Sequence, residues 1–225
     1  MNKKSDTSHK RNNGTVRWLL VDIGNVLLLK SQERSFTDLL SEELGIDIIL
    51  AQAVNEAHYS TMETKYIAEK EFVKTLKKSL GYDAPNDIYK YFARAYQQQI
   101  QPNVELFNFL DGIRKKGVKT AVLSNTIAIY QNIQEKVGIS HVGGFDPIIY
   151  SWREGVAKPD KKIFKVALDQ LGADPDQVIF IDDSEKYIKS AESMGIKSIL
   201  FSDTEDVIKK VSGLIKHDGL TQIRG

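Results

Sequence analysis

Four short stretches of the chain are almost wholly apolar and rich in Val, Ile and Leu: VRWLLVDI over 16–23, VKTAVLS over 118–124, QVIFIDD over 177–183 and KSILFS over 197–202. Continuous apolar runs of this length suit strands buried on both faces of a parallel sheet. Around the later runs the periodicity turns helical. NVELFNFLDGIRKKG, AIYQNIQEKVG, DKKIFKVALDQLG and EKYIKSAESMG each close on Gly, the residue favoured just past a helix C-terminus. Strands alternating with helices of this length predict right-handed crossovers and a doubly wound α/β fold.

The stretch 31–100 breaks this alternation. Its apolar positions recur at helical spacing in four blocks, over 33–44, 48–62, 68–80 and 86–98, with no convincing strand among them. This pattern predicts a helical insertion of residues 31–100 in a core built from 15–30 and 101–225. One continuous α/β protein with extra helices fits the periodicity almost as well. The opening MNKKSDTSHKRNNG is basic and polar, with no apolar segment of signal-peptide length behind it, so residues 1–14 are expected to form a disordered tail.

Composition narrows the chemistry. The chain has 225 residues, enough for one sizeable domain or a core with a smaller insertion, and its 41% hydrophobic and 27% charged residues are ordinary for a globular protein. A formal net charge of +1 offers no field for nucleic acid, and no apolar run is long enough to cross a bilayer. Neither partner is expected, and the default location is cytoplasmic. There is no cysteine, which excludes disulfides and thiolate metal sites. The four histidines, His9, His58, His141 and His217, lie at no metal-ligand spacing.

In an open parallel sheet the ligand crevice lies beyond the carboxyl ends of the strands. The polar residues just after the apolar runs are Asp22, then Ser124-Asn125, then Asp182-Asp183, and IIYSWREGVAKPD sets Lys158 in a loop before a helix opened by Pro159. Each has an ordinary explanation as a turn former, helix cap or loop. Together they would require four coincidences in sequence order. Facing carboxylates repel unless a cation lies between them, and hard oxygen ligands suit Mg²⁺. A lysine and a hydroxyl beside that cation suit a tetrahedral anion such as phosphate. The set has the outline of a phosphoryl-transfer site.

The motifs VDIGNV, LSNT, KPD and IFIDDS, in that order, resemble those of the haloacid dehalogenase-like (HAD) hydrolase superfamily, and the resemblance covers about residues 16–210. It implies a Rossmann-like core, with the helical insertion as a C1-type cap. DIGNV, EGVAKPDKKIF and IDDSEKYIKSAESMGIKSILF look most like the branch that contains glucose-1-phosphate phosphatases. By that resemblance Asp22 is the nucleophile that forms an aspartyl-phosphate. Mg²⁺ is held by Asp22, the backbone carbonyl of Gly24 and Asp183, with Asp182 acting through water. Ser124 and the Asn125 N–H hold the phosphoryl group, and Lys158 neutralises charge. The expected reaction is hydrolysis of a small phosphorylated metabolite, a sugar phosphate being one candidate.

The chain departs from the family pattern at two places. Most family phosphatases carry a second Asp, the general acid and base, where Gly24 stands; such help is typically worth about 10²–10⁴ in rate. Its absence predicts a preference for leaving groups that need little protonation, such as sugar 1-phosphates, or a substitute such as His58 or Glu63. Gly24 also has a plainer explanation, a turn needing an unusual backbone angle. Tyr187 stands where the fourth motif often has Asp or Asn. HYSTMETKY, over 58–66, is expected to join two cap helices and to present His58, Glu63, Lys65 and Tyr66 to the crevice, with Trp152 and Arg153 as further specificity candidates. Two rivals stand beside the phosphatase. A metal-free 2-haloacid dehalogenase fits poorly with the Asp182-Asp183 pair, and a non-catalytic phosphometabolite-binding protein has little use for Asp22.

Overall fold

The structure, a computed structural model, describes residues 15–31, 33–134 and 144–217. The expected tail, residues 1–14, lies outside the described residues, as do His9 and His141. Five parallel strands form the main sheet: β1 (Trp18–Val21), β4 (Lys119–Ser124), β5 (Phe145–Tyr150), β6 (Val178–Asp182) and β7 (Lys197–Leu200), in the order β5-β4-β1-β6-β7. The chain builds outward from β1 to β4 and β5, then crosses back to β6 and β7, which is the doubly wound arrangement.

Residues of β1 alternate between two cores, as a strand's period of two requires. Leu19 and Val21 face α5 (Val104–Arg114) and α10 (Thr204–His217), among Leu106, Leu110, Val207 and Val211. Trp18 and Leu20 face α8 (Lys161–Leu171) and α9 (Glu185–Glu192), among Ile163, Phe164, Ile188 and Ala191. Both faces are covered, so the strands read as continuous apolar runs. α8 closes on Gly172 at φ 56, the left-handed end that its sequence predicts.

Residues 31–100 carry α1 (Phe36–Leu44), α2 (Ile48–Met62), α3 (Glu69–Leu80) and α4 (Ile88–Gln99). α1 begins three residues after the periodicity suggests, because Ser35 caps it: its hydroxyl accepts from Asp38 N while Asp38 accepts from Ser35 N. The four helices enclose their own apolar cluster, including Leu40, Phe72, Leu76 and Phe92. Ile127 and Tyr130, next to and within α6 (Ala128–Gln134), join this cluster from the α/β side.

Four elements were not apparent in the hydrophobic pattern. β5 contains Asp146 and Pro147, which interrupt its apolar run; proline is tolerated there because β5 is an edge strand, and the register with β4 shifts nearby. The helical block is rooted in a two-stranded antiparallel ribbon, β2 (Leu28–Lys30) with β3 (Ile100–Pro102), pairing Leu28 with Pro102 and Lys30 with Ile100. Strands of three residues are too short to show a period. α7 (Ser151–Glu154) is a single turn after β5.

Asn103, 3% exposed, ties these parts together where the ribbon meets α5. Its Oδ1 accepts from Leu106 N, capping α5, and its Nδ2 donates to the Val26 carbonyl and to Thr204 Oγ1. Asn103→Ala removes the cap and leaves the buried Val26 carbonyl without this donor. The expected loss is about 1–3 kcal/mol, read as a lower urea midpoint at unchanged m-value.

Candidate active site

The parallel register brings three strand ends to one place. Val21 of β1 pairs with Val122 of β4 and with Ile181 of β6, so Asp22 emerges beside Asp182, and Ser124 stands at the adjacent end of β4. The Asp22 N–H donates to the Ile181 carbonyl at 2.9 Å, which continues the pairing one residue beyond the strand. Carboxylate oxygens of Asp22, Asp182 and Asp183 all lie within 4.8 Å of one another.

Lys158 is the cation among them and is 3% exposed. Its Nζ donates to Asp22 Oδ1 at 2.7 Å, to Asp182 Oδ2 at 2.6 Å and to the Leu123 carbonyl at 2.9 Å. Those three bonds use all three ammonium protons. The rings of Phe180 and Tyr187 flank the ammonium at 5.5 and 5.1 Å from their centroids. Burial works against the charge, but the Asp22 and Asp182 carboxylates outweigh it and hold the Lys158 pKa above its ordinary value.

Asn125 positions this lysine. Its Oδ1 accepts from the Lys158 N–H at 2.8 Å and its Nδ2 donates to the Lys158 carbonyl at 2.8 Å, so one side-chain amide holds both backbone polar groups of one residue. The same Nδ2 lies 2.7 Å from Glu63 Oε1 and 3.3 Å from the Tyr187 hydroxyl.

The acids differ in their surroundings. Asp182 is fully buried, with Oδ2 on Lys158 and Oδ1 accepting from Ser184 N at 2.8 Å. Asp183 is exposed, and its Oδ2 accepts from Asn25 Nδ2 at 2.9 Å. Burial pushes the Asp22 carboxyl up to about 7; Lys158 opposes this while Asp182 and Asp183 add to it. Burial likewise raises Asp182. Three carboxylates against one ammonium leave a net charge of −2 when all are ionised. An oxygen-rich, negatively charged cluster at the floor of a cavity fits a hard divalent cation.

Gly24 requires a correction. It does not take the left-handed backbone angle; Asn25 does, at φ 57. Asn is among the residues that tolerate that region, and here its side chain also reaches Asp183. A Cβ added at Gly24 would meet only Asp22 Oδ2, at 3.7 Å, so neither backbone angle nor crowding demands glycine there.

A cavity of about 300 Å³ opens over these groups. Asp22, Gly24, Ser124, Asn125, Lys158 and Asp183 form its floor, and Tyr187 joins its wall. Asp182 lies beneath. From the helical block come Tyr59, Glu63 and Tyr96, with Lys30 and Ile100 from the ribbon and Tyr130 from α6. The Tyr96 and Tyr130 rings stack at 4.1 Å with 13° between planes. The pattern gave no signal for these tyrosines, because helical aromatic positions read as core.

His58 is a second correction. It lies within α2, fully buried, with Phe92 at 4.0 Å and Phe72 at 5.0 Å between ring centroids, and burial lowers its pKa to about 3. α2 extends to Met62, so 58–62 is helix, and His58 is packed among aromatic rings and is not part of the cavity lining. Lys65, Tyr66, Trp152 and Arg153 do not line the cavity; Arg153 stacks over Tyr150 and Trp152. Of the four candidates in 58–66, the cavity receives Glu63.

Lys158→Met should expose how the cluster is balanced. Removing the cation leaves Asp22 and Asp182 buried without their partner, an expected loss of about 3–5 kcal/mol at pH 8. At pH 5 both acids can take up a proton, so denaturant unfolding should give a smaller difference from wild type there than at pH 8.

A family model for haloacid dehalogenase-like hydrolases matches residues 16–195. Bifunctional epoxide hydrolase 2 of Sus scrofa is 33% identical over 108 residues, 45% of this chain and 20% of that protein. Phosphoserine phosphatase of Thermus thermophilus is 26% identical over 110 residues, 48% of this chain and 43% of that enzyme. The chain thus spans less than half the length of either relative. A HAD-family enzyme of Bacteroides thetaiotaomicron, solved in complex with magnesium and inorganic phosphate, shares the fold with a TM-score of 0.68 at 23% identity, covering 85% of this chain and 98% of that one. With four fifths of its length inside the family model, the chain belongs to the haloacid dehalogenase-like hydrolases.

Proposed function

We propose that the protein is a Mg²⁺-dependent phosphomonoester hydrolase, acting on a small phosphorylated metabolite through an aspartyl-phosphate at Asp22. The observation that carries this reading is the Lys158 clamp on Asp22 at 2.7 Å, set in a cluster of three acids beside a cavity of about 300 Å³. A haloacid-type displacement at carbon has no need of so many carboxylates. The magnesium and phosphate bound by the Bacteroides enzyme, and the activity named for the Thermus relative, support the same reading.

In this reading Asp22 attacks phosphorus while Lys158 holds its Oδ1 and fixes the carboxylate's orientation. Ser124 and the Asn125 N–H hold the phosphoryl oxygens as charge spreads over them. Asp22, the Gly24 carbonyl and Asp183 would hold Mg²⁺. Asp182 anchors Lys158 and would act on the cation through water. When bound, the cation supplies positive charge between the nucleophile and the phosphate dianion. Residues 31–100 form the cap over a core of 15–30 and 101–225. The cavity is at the small end for ligand sites, and its tyrosine wall suits the apolar face of a ring such as a sugar's. No helix among the described residues is long and apolar enough to cross a membrane; a cytoplasmic location belongs to this reading.

Phosphate release from a panel of phosphomonoesters, including glucose 1-phosphate and glucose 6-phosphate, should require Mg²⁺ and vanish with EDTA. Asp22→Asn should retain the fold and lose turnover. Metal-independent halide release from 2-chloropropionate, with no phosphate release, would overturn the reading. A third measurement concerns the metal alone. The Asp22 carboxyl must shed a proton that it holds up to about pH 7, so Mg²⁺ affinity should rise as pH increases from 5.5 to 8. Calorimetric titration in two buffers of different ionisation enthalpy should show the proton released.

A further inference from the structure

Phosphate-ester cleavage leaves an alkoxide unless a proton arrives as the bond breaks, and the floor of the cavity has no evident donor. Lys158 uses its three protons on Asp22, Asp182 and Leu123. Asp182 is engaged at both oxygens, and Asp183 is held by Asn25 within the acid cluster. Gly24 offers no side chain, although a Cβ would fit there. His58 is packed inside the helical block.

Glu63 is the remaining carboxyl on the cavity wall. It sits just past the end of α2, half-buried, and among the described residues it has no salt-bridge partner. Asn125 Nδ2 holds its Oε1 at 2.7 Å, which leaves Oε2 as the oxygen able to carry a proton. The same Asn125 amide grips the peptide of Lys158, whose ammonium holds Asp22, so Glu63 is tied by a short chain of bonds to the nucleophile. Burial raises the Glu63 pKa, against the opposing pull of Asn125 and Lys158, which favours the protonated form that a donor requires.

We propose that Glu63 is the general acid and base of the reaction, carried by the cap and brought to the nucleophile by Asn125. The inference rests on the phosphatase reading above. In the first step an Asp22 oxygen bonds to phosphorus, the bond from phosphorus to the leaving oxygen breaks, and the Glu63 proton passes to that oxygen. In the second, water attacks the aspartyl-phosphate; its hydroxide stays on phosphorus, its proton returns to Glu63, and the Asp22 carboxylate is restored. The pair of steps consumes one ester and one water and leaves Glu63 unchanged. Poor leaving groups are then acceptable, so the restriction that Gly24 alone implies is lifted.

The test is Glu63→Gln, which keeps an oxygen for Asn125 and loses the proton. kcat/KM, which reports the first step, is compared between variant and wild type at saturating Mg²⁺ for a primary alkyl phosphate and for 4-nitrophenyl phosphate. The expected result is a fall of about 10²–10⁴ on the alkyl ester and less than about tenfold on the aryl ester, whose leaving group needs no proton. An equal fall on both esters would assign Glu63 to cap docking alone, and no fall on either would remove it from the site; either result overturns the proposal while wild-type turnover keeps the phosphatase reading. A wild type inert toward both esters would overturn the phosphatase reading itself, and this proposal with it.

Discussion

The site depends on one buried ammonium. Lys158 has three protons and three acceptors, and two of those acceptors are carboxylates from neighbouring strands. An ion pair this deep is a weak source of net stability, because desolvating the partners offsets much of their attraction. Its value is positional. Asp22 and Asp182 arrive at the same height only because β1 and β6 pair in parallel register, and the lysine then locks that register chemically. The Leu123 carbonyl extends the same lock to β4. The sheet's central strands and the Asp22 carboxylate therefore cannot shift independently.

The lysine in turn is held by an amide that also touches the helical block. Asn125 binds the backbone N–H and carbonyl of Lys158 and reaches Glu63 with its Nδ2. A second connection runs through aromatic packing, since Tyr130 from α6 stacks on Tyr96 from α4. The helical block is rooted in the short β2–β3 ribbon, and Ile127 joins Tyr130 in packing it against the α/β side. Polar geometry at Asn125 and apolar contact at Tyr130 act at the same wall of the cavity. Placement of the block and completion of the site are thereby a single event.

Legibility followed the physics that produced each feature. Strands covered on both faces have to be apolar throughout, so β1, β4, β6 and β7 stood out within one or two residues of their ends. The residues just beyond them, including Asp22 and the Asp182-Asp183 pair, then had to converge. The edge strand β5 was lost to Pro147, and a ribbon of three-residue strands has no period to detect. The partition of 58–66 was obscured for another reason. His58 and Glu63 are both polar and five residues apart, and their opposite fates turn on α2 continuing to Met62 and on which side of it faces Phe92. Helix ends and helix rotation are set by packing, which composition does not reveal.

The turn after β1 shows how the work is divided among small features. Asn25, not Gly24, adopts the left-handed angle, and its side chain steadies Asp183 across the crevice. Gly24 is then free of any steric duty and leaves space against Asp22 Oδ2. That space lies within a cluster whose ionised form carries two net negative charges, and burial, with Asp182 and Asp183 adding to it against Lys158, pushes the Asp22 carboxyl up to about 7. A further acid at Gly24 would deepen the repulsion beside Asp22. An acid delivered from the helical block avoids this, because Glu63 meets Asn125 rather than the carboxylate cluster. The absence of a side chain at Gly24 and the presence of Glu63 on the cavity wall beside Asn125 keep added negative charge away from the Asp22 carboxylate.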